Sequence, residues 1–349
     1  MSPILRPLLT IILCLLINGA GVAGELLQKQ FAAKSYSGSR DRNYKVFVPS
    51  SYTGQDRVPL VMVLHGCSQT DVNMVNETRF KDLAERDNFI VVYPFVTSYD
   101  PTPPRASNCW GFFIDQQIHK GAGEVEDLHQ IALEVEAEFK IDPNRRYVTG
   151  LSSGAGMSVD LAVAQSAYFA AAGSVEGLPY SETASAVGFV CANPGMFKPV
   201  SADAVAMQRE QQQPDEQRPV PIMAIHSRND CVVNILGSQN IRDSWIRRYG
   251  LNATPVATSD CTAKGVACTR PNMAPRSAPS SKPFSTTASM AISSPPTRIT
   301  GSATTAGSSP IRPGRAPASC NGPSSRRIRS MKASHRLWRS PPPRPVEMP

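Results

Sequence analysis

A pentapeptide with a serine at its centre, Gly150–Gly154, is the part of this sequence whose residue types can do chemistry. It has the pattern G-x-S-x-G, and it lies between a β-branched stretch at 146–149 and a run of small residues at 155–157. A serine hydroxyl becomes an effective nucleophile when a sharp strand-to-helix turn holds it beside a base, and the flanking glycines permit that turn. The pattern predicts Ser152 as a nucleophile, although the same pentapeptide also occurs by chance on surface loops.

A second chemical candidate is Asp230, which comes four residues after the apolar stretch 219–226. Hydrolytic serine enzymes with this turn follow the chain order serine, acid, histidine, so an acid placed after the serine fits. Its carboxylate would orient a histidine and stabilise the imidazolium. The alternative is a solvated aspartate in a turn beside Asn229.

The base of such a triad is harder to find. The sequence contains five histidines: His65, His119, His129, His226 and His335. The first precedes the nucleophile, and we expect the next two to be surface residues. We expect His226 to be a core residue or a support for Asp230. Only His335 follows the acid, but it lies in an atypical tail, so we assign no catalytic histidine.

The pattern of apolar residues predicts an α/β fold. Buried or alternating stretches predict strands at 44–48, 59–64, 89–94, 168–175 and 219–226, and helical spacing predicts helices over 78–86, 124–139 and 158–165. Strands that alternate with helices imply a mainly parallel sheet with right-handed crossovers. Such sheets carry their sites at the carboxyl ends of the strands, where both Ser152 and Asp230 fall.

The first 23 residues are typical of a secretory signal peptide. One positive charge at Arg6 precedes an apolar stretch at 8–16, and small residues precede Gly24, the expected mature start. A transmembrane anchor is disfavoured because the apolar run is shorter than the ~20 residues that a span requires. We therefore expect an extracellular protein without a membrane anchor, with the periplasm as the alternative location.

Export permits disulfide bonds. Removal of the signal leaves seven cysteines: Cys67, Cys109, Cys191, Cys231, Cys261, Cys268 and Cys320. Three pairs are candidate disulfides, with connectivity left open by the sequence: Cys67–Cys109, Cys191–Cys231 and Cys261–Cys268. No C-x-x-C pair or histidine cluster has metal-binding spacing, so we expect neither a metal nor a cofactor.

The last 80 residues, 270–349, differ in composition from the rest. They contain 15 Pro, 16 Ser, 11 Arg, 2 Lys and one acidic residue, a net charge of +12. Because the whole chain carries +8, residues 1–269 sum to −4 and are mildly acidic. We expect a catalytic domain at 24–269, C-terminally incomplete, followed by a disordered tail that cannot bury enough apolar area to fold. A nucleic-acid-binding arm is disfavoured, because the tail lacks interleaved aromatic residues and belongs to an exported chain.

Translation out of frame is another interpretation of this tail. When codons are rebuilt across residue boundaries, residues 271–287 and 298–325 permit strings with strand or helix patterning. The second string contains a histidine at the junction of Arg298 and Ile299, followed by Tyr and Trp. The nucleotide sequence tests this interpretation, which requires an insertion or deletion near the Arg270 codon.

Several ordered motifs resemble the bacterial poly(3-hydroxybutyrate) depolymerase family of secreted esterases. They are Leu64-His65-Gly66-Cys67, Asn108-Cys109-Trp110, Gly121-Ala122-Gly123-Glu124, the stretch from Asp142 to Ser152, and Asn229-Asp230-Cys231-Val232-Val233. The resemblance covers roughly 45–268. It implies the α/β-hydrolase fold, with helices on both faces of the sheet, and hydrolysis of hydroxyalkanoate polyesters or short-chain acyl esters. Close relatives act on feruloyl or acetyl esters of plant polysaccharides, which is the alternative substrate class.

Further site residues follow from the chemistry and the resemblance. The backbone N–H of Ser153 should stabilise the oxyanion, and by resemblance the N–H of Cys67 is its second donor. Trp110 either lines the substrate groove or packs in the core beside a Cys67–Cys109 bridge. Without an identifiable base, we expect little triad chemistry from the chain as written, or a catalytically impaired polymer-binding relative.

Overall fold

The computed structural model describes residues 24–99, 105–182, 218–263, 266–273 and 288–293. Its strands are β1 (Glu25–Phe31), β2 (Arg42–Val48), β3 (Val58–Leu64), β4 (Ile90–Phe95), β5 (Ile141–Leu151), β6 (Ala171–Val175), β7 (Ile222–Ser227), β8 (Ala257–Ala263), β9 (Val266–Met273) and β10 (Ala288–Ser293). Its helices are α1 (Asp71–Glu77), α2 (Phe80–Asp87), α3 (Gly123–Glu138), α4 (Ser153–Ala164) and α5 (Leu236–Tyr249), with a short 3-10 helix at Asp115–Gln117.

These strands form one sheet with the order β1-β2-β4-β3-β5-β6-β7-β10-β9-β8. The six central strands, β4-β3-β5-β6-β7-β10, are parallel to one another. The strands at the two edges, β1 and β2 on one side and β9 and β8 on the other, pair in an antiparallel manner. Strand β4 shows why the central strands are continuous apolar runs: its first four residues are fully buried, whichever face they point to.

Helices cover both faces of this sheet. On one face, Met74 and Val75 of α1 pack with Val63 and Val91. On the other face, α3, α4 and α5 pack against the residues that alternate with these, including Met62 and Val92. Side chains of successive strand residues point to opposite faces, which explains the two clusters. The predicted α/β-hydrolase fold is therefore confirmed.

Two predicted helices have different limits in the structure. The helix predicted over 78–86 is α2, which begins at Phe80 because the chain is extended at Thr78; α1, just before it, was not predicted. Helix α4 begins at Ser153, five residues before the predicted start at 158. Its first turn contains Gly154 and Gly156, which have no side chains to show helical periodicity.

Two strands extend past the predicted domain boundary after residue 269. Strand β9 continues through Met273, and β10 pairs in parallel with β7 and antiparallel with β9. The rest of the predicted tail and the predicted signal peptide lie outside the described residues. In the described part of the chain, no helix has the length and apolar character needed to span a bilayer.

Candidate active site

Ser152 lies on a sharp turn between β5 and α4. Its backbone has φ 54° and ψ −117°, in the left-handed half of conformational space that non-glycine residues rarely adopt. Its N–H donates to the carbonyl of Val175 on the next strand, at 2.9 Å. Strained backbone of this kind costs about 1–3 kcal/mol and concentrates at functional sites. The side chain is only partly buried, so the hydroxyl is accessible.

The glycines on either side of Ser152 are required by close packing. A Cβ added to Gly150 would lie 2.4 Å from the backbone of Gly154. A Cβ added to Gly154 would lie 2.4 Å from the carbonyl oxygen of His65 and 2.6 Å from that of Leu64. The first turn of α4 therefore packs directly on the end of β3, and only glycine fits at these contacts.

A pocket of about 260 Å³ opens above this turn. Its lining residues are Gly66, Cys67, Gln69, Leu151, Ser152, Glu176, Asp230, Val232 and Val233. They come from the carboxyl ends of β3, β5, β6 and β7, where parallel sheets place their sites. We call this the nucleophile pocket. Among the described residues, no group of His, Cys, Asp and Glu side chains has an arrangement that could hold a metal ion.

The two backbone N–H groups that the sequence predicts as oxyanion donors belong to Ser153 and Cys67. Ser153 is the first residue of α4, so its N–H has no acceptor within the helix. Cys67 lies in the loop after β3, and this loop lies against the turn that carries Ser152. Gly66 in the same loop approaches so closely that its Cβ would be 3.4 Å from the Cβ of Ser152. The side chain of Gln69 fixes the loop by accepting the N–H of Gly66 at 2.9 Å.

The candidate acid Asp230 lies in the turn after β7. Its Oδ1 accepts the N–H groups of Val232 (2.7 Å) and Val233 (3.0 Å), and its Oδ2 lies 3.4 Å from Nε2 of His226. Burial by itself raises the pKa of this carboxyl, but the hydrogen bonds from His226 and the two N–H groups outweigh it and bring the pKa below its usual range. Asp230 is therefore a carboxylate at neutral pH, and it both caps its turn and faces the nucleophile pocket.

A disulfide joins the loop after β3 to the loop between β4 and α3. Cys67 and Cys109 are bonded, as one of the predicted pairings proposed. Cys231 is also in a disulfide, and its predicted partner Cys191 lies outside the described residues. Cys261 and Cys268 are directly opposite each other in the β8–β9 register.

The family of the protein follows from comparison with known sequences. Residues 42–267 match the family model described as Esterase PHB depolymerase. The chain belongs to this esterase family. The match begins in β2 and ends in β9, so it includes every residue of the nucleophile pocket. The resemblance that the motifs predicted is therefore confirmed.

Individual members resemble parts of the chain. It is 34% identical over 168 residues to a poly(3-hydroxyalkanoate) depolymerase C from Paucimonas lemoignei, covering 47% of this chain and 39% of that protein. It is 27% identical over 256 residues to an acetylxylan esterase from Coprinopsis cinerea, covering 69% of this chain and 63% of that protein. The chain thus spans less than two thirds of these relatives. An acetyl xylan esterase structure from Aspergillus awamori superposes with a TM-score of 0.58 at 16% identity, covering 77% of this chain and 92% of that one, and so shares the fold.

None of the four described histidines of this esterase-family chain lines the nucleophile pocket. His65 is buried, with Nδ1 2.8 Å from the carbonyl of Gly66 and Nε2 3.3 Å from the N–H of Val96. Burial lowers the pKa of His65 to about 4. It is a neutral residue of the loop scaffold at physiological pH.

His226 is fully buried, as predicted for a core or supporting histidine. Its Nδ1 lies 2.7 Å from Oγ of Ser238, and its Nε2 lies 2.8 Å from the carbonyl of Val233. Both ring nitrogens are therefore engaged beside Asp230. His119 and His129 are partly buried and not fully at the surface: they contact Asp115 and Glu126, respectively. His335 lies outside the described residues.

The prediction that Trp110 lines the substrate groove is wrong. Its side chain is 0% exposed and packs in the main core, with its ring centroid 5.1 Å from that of His65. Its backbone N–H donates to Oγ of Ser153 at 3.4 Å. The alternative prediction, core packing beside the Cys67–Cys109 bridge, is the one that the structure shows. A large aromatic ring next to a covalent bridge is buried more favourably than it is exposed.

Sequence reasoning overlooked two groups around the site. Glu124, quoted only within a motif, is fully buried and accepts from Nη1 of Arg105 (2.7 Å) and from the N–H of Gly111 (2.6 Å). Glu176 lines the nucleophile pocket directly after β6. The signal that identified Asp230, a polar residue at the carboxyl end of a buried strand, could also have identified Glu176.

Proposed function

We propose that the protein is a secreted esterase that cleaves carboxylic esters through an acyl-enzyme on Ser152. The observation that carries this proposal is the strained backbone of Ser152 (φ 54°) at the mouth of a pocket that also contains Asp230 and the Cys67 loop. Such a turn is costly for a non-glycine residue and has a purpose when the side chain must reach a substrate.

The proposed reaction uses these groups in order. Oγ of Ser152 attacks the ester carbonyl carbon and loses its proton to a base, which returns this proton to the leaving oxygen as the C–O bond breaks and the alcohol departs. The N–H groups of Ser153 and Cys67 donate to the oxyanion, and each such donor contributes about 10²–10³ in rate. Asp230 orients and stabilises the protonated base. Water then repeats the attack on the acyl-enzyme and releases the acid.

The base of this mechanism is proposed to be a histidine that the alternative reading frame would supply. The four described histidines are accounted for by other contacts or lie away from the pocket. The alternative reading frame permits a histidine at the junction of Arg298 and Ile299, after the acid in the required order. Sequencing the DNA around the Arg270 codon tests this: an uninterrupted frame contradicts the proposal.

For the substrate, we propose uncharged short-chain acyl esters, with hydroxyalkanoate polyesters as the first class. A pocket of about 260 Å³ is below the ~300–1,000 Å³ of sites for drug-sized ligands, which favours a short acyl group. The similarity to the Paucimonas depolymerase supports the polyester class. Acetyl or feruloyl polysaccharide esters are the second class, supported by the longer alignment with the Coprinopsis acetylxylan esterase.

Turnover of p-nitrophenyl butyrate by the chain from Gly24 to Pro349 tests the proposed activity. We expect turnover to depend on Ser152, so that Ser152→Ala abolishes it while Ser51→Ala, an exposed serine, leaves it unchanged. The chain as written should be slow, and a chain with the frame restored after residue 269 should be faster. Robust turnover that His335→Ala removes would contradict our assignment of the base.

A polymer-binding protein without turnover is the second candidate function. The specific observation in its favour is that the nucleophile pocket contains no histidine among the described residues. Pull-down on polyester granules, combined with an absence of Ser152-dependent hydrolysis in both reading frames, would favour binding over catalysis.

A further inference from the structure

Glu176 repeats the unusual geometry of Ser152 on the neighbouring strand. It follows β6 directly and also has φ 54°, although glutamate is not a residue that favours positive φ. Its N–H donates to the carbonyl of Ile225 at 2.7 Å, just as the N–H of Ser152 donates to Val175 at 2.9 Å. Two strained non-glycine residues therefore end adjacent strands at the same edge of the sheet.

The chain around Glu176 leaves little freedom for this residue. A Cβ added to Gly177 would lie 2.1 Å from Oγ of Ser174 and 2.8 Å from Cβ of Ala155, so the backbone turns tightly against α4. The side chain of Glu176 is partly buried and lines the nucleophile pocket with Ser152 and Asp230. A turn alone would be served better by glycine or asparagine, which adopt positive φ at lower cost.

Glu176 places a second carboxyl group next to Asp230 in a small pocket. Burial raises the pKa of Glu176, the charge of Asp230 raises it further, and His226 and the N–H of Ser227 oppose the change. Asp230 has a lowered pKa and is ionised first. As the pH rises above the ordinary glutamate range, the pocket therefore gains a second negative charge next to the nucleophile.

We propose that Glu176 determines substrate specificity by selecting esters whose acyl group is uncharged and rejecting those with an anionic acyl group. This inference rests on the proposed function, because it requires the acyl group to occupy the nucleophile pocket. An anionic group there would be repelled by Glu176 and Asp230 in a partly buried site, where charges interact more strongly than in water. Uncharged acyl groups are not affected by this repulsion.

Paired boronic acids test the inference without requiring a catalytic base. Butylboronic acid and 3-carboxypropylboronic acid are close in size, and both add to a serine oxygen as acyl-transfer analogues. We expect the wild-type chain to bind the uncharged compound more tightly, with the difference increasing as pH rises. The measured quantity is the dissociation constant of the carboxylate compound divided by that of the uncharged compound. Glu176→Gln and Glu176→Gly should each reduce this ratio by about tenfold, since one nearby charge is removed. Glycine also relieves the positive φ, so this variant is compatible with the fold.

Controls separate this inference from the proposed function. Glu25→Gln removes the same charge from an exposed position on β1 and should leave the ratio unchanged. If the uncharged compound binds in a Ser152-dependent way but both Glu176 variants keep the wild-type ratio, the selectivity proposal is wrong. If Ser152→Ala does not weaken binding of the uncharged compound, the proposed function is wrong, and the selectivity proposal falls with it.

Discussion

The α-carbon of Gly154 faces the backbone carbonyl of His65 so closely that a methyl group added there would lie 2.4 Å from the oxygen. The same methyl group would lie 2.6 Å from the carbonyl oxygen of Leu64. Both neighbours are backbone atoms at the end of β3, so neither can rotate away as a side chain could. This contact sets the position of the first turn of α4, and therefore of Ser152 and the N–H of Ser153.

We accordingly expect Gly154→Ala to destabilise the fold and displace Ser152. Overpacking of this kind typically costs about 1–3 kcal/mol, and occasionally more. Gly250→Ala is the matched control: Gly250 has φ 60° but no atom within 4 Å of an added Cβ, so it reports only the strain of about 1–2 kcal/mol. Urea unfolding of the two variants measures the difference. A Gly154→Ala variant as stable as the wild-type chain would show that the close contact at Gly154 is not a constraint.

The disulfide between Cys67 and Cys109 should stabilise the fold and hold the loop after β3 in place. It closes a loop with a sequence separation of 42 residues, for which chain entropy predicts about 4 kcal/mol. We expect Cys67→Ala/Cys109→Ala to lower the free energy of unfolding by roughly 2–4 kcal/mol. We also expect it to weaken the Ser152-dependent binding of butylboronic acid, because the N–H of Cys67 is less well placed. An unchanged urea midpoint would contradict the first expectation, and unchanged affinity the second.

The fold and the sharp turn at Ser152 could be predicted from the sequence because both depend on local signals. Buried parallel strands are continuous apolar runs, and the turn between β5 and α4 needs glycine at fixed spacing around Ser152. Trp110 was placed only as one of two alternatives, since an aromatic residue beside a cysteine is equally consistent with a groove or a core. Its burial depends on His65, which is distant in sequence. Glu176 was overlooked although, like Asp230, it is a polar residue just after a buried strand; only its positive φ could not be predicted, because that is a property of the backbone turn.

A buried ion pair holds the loop that carries Cys109 and Trp110. Glu124, at the start of α3, is fully buried and accepts from Arg105 and from the N–H of Gly111. Glu124→Gln removes the charge that compensates Arg105, so we expect a loss of about 3–5 kcal/mol in stability. Glu138→Gln is the control on the same helix, because Glu138 pairs with Lys29 at the surface, where such pairs contribute about 0–1 kcal/mol. Similar thermal midpoints for both variants would contradict a structural role for the buried pair.

The pH dependence of stability should be set in part by Asp160, on the helix that follows the nucleophile. Asp160 is 0% exposed, and neither of its carboxyl oxygens has a hydrogen-bond partner among the described residues. Burial, followed by the nearby charge of Glu124, raises its pKa well above the ordinary value. The folded state therefore keeps a proton that the unfolded chain has lost, and stability must fall as pH rises past the ordinary carboxyl range.

Asp160→Asn is neutral at every pH and removes this penalty. We expect the variant and the wild-type chain to have equal stability near pH 4, and the variant to be more stable near pH 8, because each unit by which folding raises the carboxyl pKa costs about 1.4 kcal/mol once the unfolded chain is ionised. Asp142→Asn should show the opposite sign. The pKa of Asp142 is lowered by the N–H of Asn144 and by Arg145, so its carboxylate stabilises the fold above the ordinary range and loses that effect as pH falls. Urea unfolding at both pH values measures these differences. If Asp160→Asn has the same pH profile as the wild-type chain, Asp160 has a buried partner that keeps its carboxylate ionised.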